Sequence, residues 1–212
     1  GSDSAAEYLA KSYVAMQVDP GIKTSQCESS GACRFSYFQA FRPPLQSLLA
    51  ARIDTSARAY NVVAVVPGTD SLAEREWVVV GAHYDHLGQT GYGVRDPRFA
   101  LVPHLGADDN ASGTAAVLEL ARRIASAPLR RSVIFVHFAA EEIGVVGSTM
   151  FLQEPPVPID AVVAMVNLDM VGRLGRGRLQ IFGLESSPEW ERIIDAANEN
   201  DRMPIVRHRP LG

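Results

Sequence analysis

Ser132-Val133-Ile134-Phe135-Val136-His137-Phe138-Ala139-Ala140-Glu141-Glu142 runs almost without polar side chains into two adjacent carboxylates. The stretch is short, rich in β-branched and aromatic residues, and lacks polar alternation. It reads as a strand over 132–139 that is buried on both faces. Two other apolar runs end in a similar way. Trp77–Ala82 leads into His83-Tyr84-Asp85, and Ala161–Met170 contains Asn167-Leu168-Asp169 near its end. Strand ends on one edge of an α/β sheet converge in space, and ligand sites form there.

Working outward, the chain alternates strand and helix signals. Residues 3–16 read as an amphipathic helix in which Leu9, Tyr13 and Met16 share a face. Residues 35–41 read as an edge strand stopped by Pro43-Pro44. Residues 60–66 and 77–82 read as neighbouring strands, the second fully buried. The segment 89–105 is a long loop, a class that often carries function. Helices follow over 112–126 and 145–153. The run 161–170 reads as a third buried strand and 179–182 as a fourth, with a last helix from Pro188 to Asn200. This order predicts an α/β three-layer sandwich, with a mostly parallel mixed sheet and helices on both faces. One domain spanning 1–212 accommodates it.

Composition narrows the classes. The chain has 212 residues, 47% hydrophobic and 21% charged, with a net charge of −4. That balance argues against a nucleic-acid surface, and no apolar run is long enough to span a bilayer. Arg122, Arg123, Arg130 and Arg131 read as solvated. Cys27 and Cys33 flank a turn-like stretch, and a disulfide between them would imply an oxidising compartment, secreted or periplasmic. Two free thiols are the plain alternative.

The polar motifs carry the chemistry. A metal-bound imidazole needs its second ring nitrogen held, so His83 suits a ligand and Asp85, two residues on, its orienting partner. Asp108 and Ser112 precede a helix and could simply cap it. A carboxylate there could also bridge two metals. Glu141 and Glu142 repel each other; a cation on one relieves this, and the other could accept a proton from water. Asp169 closes an apolar run and needs a partner, a metal or an arginine such as Arg173.

Together these motifs resemble the M28 family of di-zinc aminopeptidases. The matching text is Val-Gly-Ala-His-Tyr-Asp-His-Leu-Gly (80–88), Gly-Ala-Asp-Asp-Asn-Ala-Ser-Gly (106–113), Ala-Glu-Glu-Ile-Gly-Val-Val-Gly-Ser (140–148) and Asn-Leu-Asp-Met-Val-Gly-Arg (167–173). The resemblance implies that His83 and Asp169 hold one zinc, that Asp109 bridges to a second, and that Glu142 binds the second. It makes Glu141 the general base and Asp85 the partner of His83. It also implies a cis peptide between Asp109 and Asn110, peptide substrates, and hydrolysis at the N-terminus.

The family's second zinc takes a further histidine from a later loop. This sequence closes at Arg207-His208-Arg209-Pro210-Leu211-Gly212 without one. The C-terminal strands and helix of the fold are therefore expected to be missing, and the second metal to bind weakly with little activity. His86, His104, His208 or a neighbouring chain are the substitutes. Two other functions stay open: a single-zinc, glutaminyl cyclase-like transferase, and a non-catalytic peptidase-like binding scaffold. Oligomeric state is not legible.

Overall fold

The computed structural model describes residues 2–27, 33–71, 75–89, 91–99, 101–174 and 177–208, without the side chains of 25–27. The chain divides into two units, 1–170 and 171–212. The first begins with α1 (Ser2–Ala15), then β1 (Asp19–Pro20), the β2 (Ile22–Cys27) and β3 (Cys33–Ser36) hairpin, β4 (Phe38–Phe41), α2 (Leu45–Ala50), β5 (Ala59–Val66) and β6 (Trp77–His83). It continues through α3 (Ala111–Ser126), β7 (Ser132–Phe138), α4 (Val146–Gln153) and β8 (Val162–Asn167). The second unit holds β9 (Leu179–Ile181), α5 (Glu189–Asn198) and β10 (Ile205–Arg207), the two strands pairing in parallel. There Phe182 stacks on His208, whose Nε2 lies 2.9 Å from Gln180 Oε1.

The main sheet has the order β1-β5-β7-β6-β8, with β4 also on β5. It is mixed. β7, β6 and β8 run parallel, and β5 joins β7, β4 and β1 by antiparallel ladders. Every residue of β7 is buried, because both faces are covered. On one face Leu9 and Tyr13 of α1 and Val117 and Ala121 of α3 pack against Val62, Ala64, Ala82 and Phe135. On the other, Phe151 of α4 packs with Val63, Val79, Ile134 and Val136. Successive strand residues point to opposite faces, so a strand covered twice has no polar face and shows no alternation.

Three expectations change. First, β5 and β6 are not neighbours, because β7 lies between them. The link after β5 crosses the start of β7: Gly68 N donates to Ser132 Oγ at 2.9 Å, and Thr69 N to Leu129 O at 2.9 Å. A Cβ at Gly68 would strike the backbone of Arg130 to Ser132, so only glycine lets the link pass there. Second, β8 is shorter than 161–170 and is not buried; Val163 and Met165 are 49% and 44% exposed. It pairs only with β6 among the described strands, so its apolar residues lack the double cover that β7 has. Third, the 35–41 run breaks at Tyr37 into β3 and β4, and α2 follows the proline pair unread. The 28–32 turn between the cysteines lies outside the described residues. Cys33 is disulfide-bonded, and Cys27, the other cysteine of the chain, is its register partner across the hairpin. The arginines read as solvated are exposed and paired with Glu119, Asp70 and Glu76.

One polar pair sits inside this apolar packing. His137 of β7 and Tyr13 of α1 are both 0% exposed, with Tyr13 Oη 2.8 Å from His137 Nε2. His137 Nδ1 has no partner among the described residues. Burial drives the imidazole pKa down from 6.5 to about 3, because a charged ring there would lose its hydration. The folded pKa thus lies below the unfolded one. The stability linked to His137 is complete above about pH 6.5 and is lost as pH falls from there toward about 3. One such group contributes a slope of up to about 1.4 kcal/mol per pH unit. The double variant Tyr13→Phe/His137→Leu removes both polar partners together. Urea midpoints measured from pH 7 to pH 4 should fall more steeply for the native sequence than for this variant; parallel slopes would show that His137 is not the acid-sensitive group.

Candidate metal and catalytic site

The site grows from the register of the three parallel strands. β6 pairs with β7 so that His83 stands opposite Phe138, and with β8 so that Gly81 stands opposite Asn167. The residues that follow each strand therefore emerge at one sheet edge. Leu168 N extends the alignment by donating to Gly81 O at 2.8 Å.

His83 is 3% exposed. Its Nδ1 lies 3.1 Å from the backbone carbonyl of Asp85 and 3.7 Å from Asp85 Oδ1. The shorter contact is the hydrogen bond, so Asp85 touches the ring chiefly through its main chain. The Asp85 carboxylate also serves the glutamate turn. Its Oδ1 accepts from Glu141 N at 3.1 Å and its Oδ2 from Glu142 N at 3.4 Å. One aspartate thus ties the end of β6 to the glutamate turn after β7.

That turn needs unusual backbone. Ala140, Gly144 and Val145 all have positive φ, and Val146 N closes it on Ala140 O at 3.0 Å. Asn61, wholly buried in β5, anchors its base. The amide accepts from Ala139 N at 3.0 Å and donates to Gly147 O at 2.8 Å and to Gln39 Oε1 at 2.9 Å. All its groups are satisfied, which a buried amide requires.

Across the edge, Asn110 performs the matching task. The peptide from Asp109 to Asn110 is cis, as the sequence resemblance implies. The capping side chain of α3 is Asn110, not Asp108 or Ser112: its Oδ1 accepts from Gly113 N at 3.0 Å. The same Oδ1 accepts from Met170 N at 3.2 Å, while Nδ2 donates to Leu168 O at 2.9 Å. Asn110 therefore fastens the loop bearing Asp109 to the segment bearing Asp169. Gly113 must lack a side chain here, since a Cβ would strike Leu168 O and Asn110 Oδ1.

Two groups of ligand-type atoms result. His83 Nε2 lies 3.2 Å from Asp109 Oδ1 and 3.5 Å from Asp169 Oδ1. His86 Nδ1 lies 2.6 Å from Glu142 Oε1 and 3.9 Å from Asp109 Oδ2. Glu141 Oε2 is 4.0 Å from His83 Nε2 and belongs to neither group. Tetrahedral zinc with bonds of about 2.0–2.1 Å to nitrogen and oxygen sets neighbouring ligand atoms roughly 3.3 Å apart. The His83 group has that spacing and that donor chemistry, so its residues fit zinc.

The electrostatics agree. Burial raises the pKa of Glu141 above the ordinary carboxylate range, and Glu142, Asp85 and Asp169 add to it against the pull of His83. Burial and Asp109 raise Glu142, against the hydrogen bond from His86. For His83 burial acts downward, but Asp85, Glu141 and Asp169 outweigh it and lift the pKa to about 9. These three shifts all run in the direction that lessens net negative charge, as in a carboxylate cluster that a cation could relieve.

The sequence reading placed His83, Asp85, Asp109, Glu141, Glu142 and Asp169 at one site, and the fold brings all six together. It gave Asn61 and Asn110 no role. A polar residue inside an apolar strand was the available signal for Asn61; the position just before the helix was the signal for Asn110.

The profile of peptidase family M28 matches residues 61–205. A probable leucine aminopeptidase of Trichophyton verrucosum is 35% identical over 133 residues, 60% of this chain and 32% of that protein. A probable zinc metalloprotease of Leptosphaeria maculans is 36% identical over 165 residues, 72% of this chain and 36% of that protein. The chain thus spans about a third of the length of these curated relatives. Among solved structures, a leucine aminopeptidase precursor from Bacteroides thetaiotaomicron superposes with a TM-score of 0.64 at 19% identity, covering 98% of this chain and 68% of that one. That match speaks to the fold alone, as does a glutaminyl cyclase from the same organism, with a TM-score of 0.63 at 19% identity over 97% of this chain and 68% of that one. A zinc aminopeptidase from Bacillus subtilis gives a TM-score of 0.55 at 26% identity over 74% of this chain and 36% of that one.

The Asn110 clasp generates a test. Asn110→Ala leaves Gly113 N–H, Met170 N–H and Leu168 C=O without that partner, at roughly 1–3 kcal/mol for each group that stays buried and unsatisfied. Urea unfolding of Asn110→Ala should show a loss of at least about 1 kcal/mol. An unchanged midpoint would mean that the two loops are held by something else.

Proposed function

We propose, from the premise that this chain belongs to peptidase family M28, that it carries the catalytic centre of a two-zinc aminopeptidase that removes N-terminal residues from peptides. The observation that carries this reading is the position of Asp109. Its Oδ1 faces His83 and its Oδ2 faces His86, so one carboxylate would serve both ligand groups. His83, Asp169 and Asp109 would hold one zinc, and Asp109 and Glu142 would hold the other. Zinc, when bound, lowers the pKa of water and polarises a carbonyl.

The chain's own residues supply the rest. Glu141 reaches into the site without joining either ligand group, so its carboxylate is available to take the proton from water and pass it to the leaving amine. Asp85 holds Glu141 and Glu142 through their backbone N–H groups and so fixes the base relative to the ligands. The free α-amine of a peptide is cationic and suits the surplus of carboxylates. Phe138, Val145 and Met165 line the cleft beside Glu141, which favours an apolar N-terminal side chain; the relatives named leucine aminopeptidases accord with this. The disulfide at Cys33 supports an extracytoplasmic location, secreted or periplasmic, and no helix among the described residues is long and apolar enough to cross a membrane.

A single-zinc glutaminyl cyclase-like transferase would need only the His83 group. Two groups sharing Asp109 favour the peptidase. The deciding assay supplies zinc and compares a leucyl anilide with a peptide bearing N-terminal glutamine. Release of the anilide product is expected, falling about 10²–10⁴-fold in Glu141→Gln while bound zinc is retained. Cyclisation of the glutaminyl peptide without hydrolysis, or full activity in Glu141→Gln, would overturn the reading.

A further inference from the structure

We propose that Asn61 of β5 is a positioning residue for the reaction: its amide staples the two ends of the glutamate turn and so holds Glu141 where a base must stand. The proposal rests on the reading of Glu141 as the base and adds the device that fixes it. Glu141 Oε2 is 4.0 Å from His83 Nε2, beyond hydrogen-bond reach. That contact does not fix the carboxylate, so the backbone beneath it must.

This backbone has reason to move. Glu141 and Glu142 stand between Ala140 and Val145, whose φ values are +58° and +50°. The left-handed region is unfavourable for a residue with a Cβ, and most of all for a β-branched one. Such conformations persist only where the surroundings over-determine them. Released, either residue would return toward the right-handed or extended region and swing the carboxylates between them. Two sets of bonds act inside the turn: Val146 N donates to Ala140 O, and the Asp85 carboxylate accepts from Glu141 N and Glu142 N. All of them fall within residues 140–146.

Asn61 acts outside those limits, on both sides. Its Oδ1 accepts from Ala139 N at 3.0 Å, just before the first left-handed residue, and its Nδ2 donates to Gly147 O at 2.8 Å, just after the turn enters α4. One amide thus spans the base of the turn. The fit is close, since a Cβ at Gly147 would strike both Ala139 O and Asn61 Oδ1. The second N–H of Asn61 goes to Gln39 Oε1 at 2.9 Å, directly opposite in the β4–β5 ladder. Gln39 Nε2 in turn donates to Glu154 O at 2.7 Å, just past the far end of α4. Two linked amides therefore hold α4 at both ends. Asn61 is 0% and Gln39 7% exposed, and a buried network that is fully satisfied is rigid.

A buried amide could instead serve stability alone, and kinetics separate the two roles. Asn61→Leu removes the staple; Gly147→Ala forces its ends apart while keeping the amide. Each is loaded with zinc and assayed on a leucyl anilide per folded, zinc-bound molecule, alone and combined with Glu141→Gln. Either substitution should lower kcat at least about 10-fold, since misplacement by an ångström can cost about 100-fold, with KM changed less than about 3-fold. In the Glu141→Gln background the same substitutions should cost less than about 2-fold, because the base they act through is gone. Tyr13→Phe, which breaks a buried hydrogen bond on the α1 face of the sheet, should lower stability and leave kcat unchanged. Hydrogen exchange over 139–147 should be faster in Asn61→Leu than in the native protein, with α1 and β6 unchanged, which also reports folding. In the native protein the Ala139 N–H should exchange as slowly as the amides of β7. Rapid exchange there, unchanged kcat in the folded variants, or an equal loss with and without Glu141 would overturn the proposal and leave the peptidase reading standing. A zinc-loaded native protein that does not hydrolyse the anilide would overturn both.

Discussion

The parallel alignment of β6 with β7 and β8 is the constraint on which the site depends. It stacks His83 beside Phe138 and Gly81 beside Asn167, so the three polar segments after the strands leave the sheet at one edge. A one-residue slip in any of these ladders would turn every side chain of that strand to the other face. It would also expose apolar residues now packed on the helices, at roughly 1.5–3 kcal/mol for each large side chain. The packing of Val79, Ile134 and Val136 against Phe151, and of Ala82 and Phe135 against α1 and α3, therefore sets the geometry of groups that belong to no core cluster.

An apolar sheet that ends in carboxylates carries a built-in opposition. The strands favour burial, and the charges at their ends resist it. Main-chain donors and two asparagines hold the arrangement. Asp85 accepts two backbone N–H groups from the glutamate turn, Asn61 fixes the base of that turn, and Asn110 joins the two aspartate-bearing loops. These contacts orient the acidic groups but do not neutralise them, as the raised pKa of Glu141 and Glu142 indicates. The scaffold thus sets position, and offsetting the charge would fall to a bound cation.

This division explains what could be read in the sequence. Five of the six site residues were legible because each closes or follows an apolar run, and Asp109 because its motif opens a helix; the runs were legible because burial on two faces leaves an unbroken hydrophobic signature. Strand order was not. The runs at 60–66 and 77–82 looked adjacent because they are consecutive, yet the link through Gly68 carries the chain across β7. The burial of 161–170 was misread for a related reason. An apolar strand gives the same text whether or not an element covers it, and β8 has one strand partner among those described. Asn110 was quoted within its motif but carries three hydrogen bonds that arise only once α3 meets the 168–170 segment.

His86 shows the same limit from the other side. In sequence it is one of three comparable histidines, and its spacing from Glu142 says nothing about distance. What distinguishes it is a set of local features that are individually modest. Gly106 has no Cβ to fend off the ring, the Gly88–His104 bridge turns the loop back over it, and the Asp85 clamp brings Glu142 within hydrogen-bond reach. Each of these could serve a structural purpose alone. Their common effect is to set Nδ1 2.6 Å from Glu142 Oε1 and 3.9 Å from Asp109 Oδ2. An apolar side chain at 86 could close the loop but could not make the 2.6 Å hydrogen bond to Glu142. That hydrogen bond and the Asp85 clamp together set where the Glu142 carboxylate stands relative to Asp109.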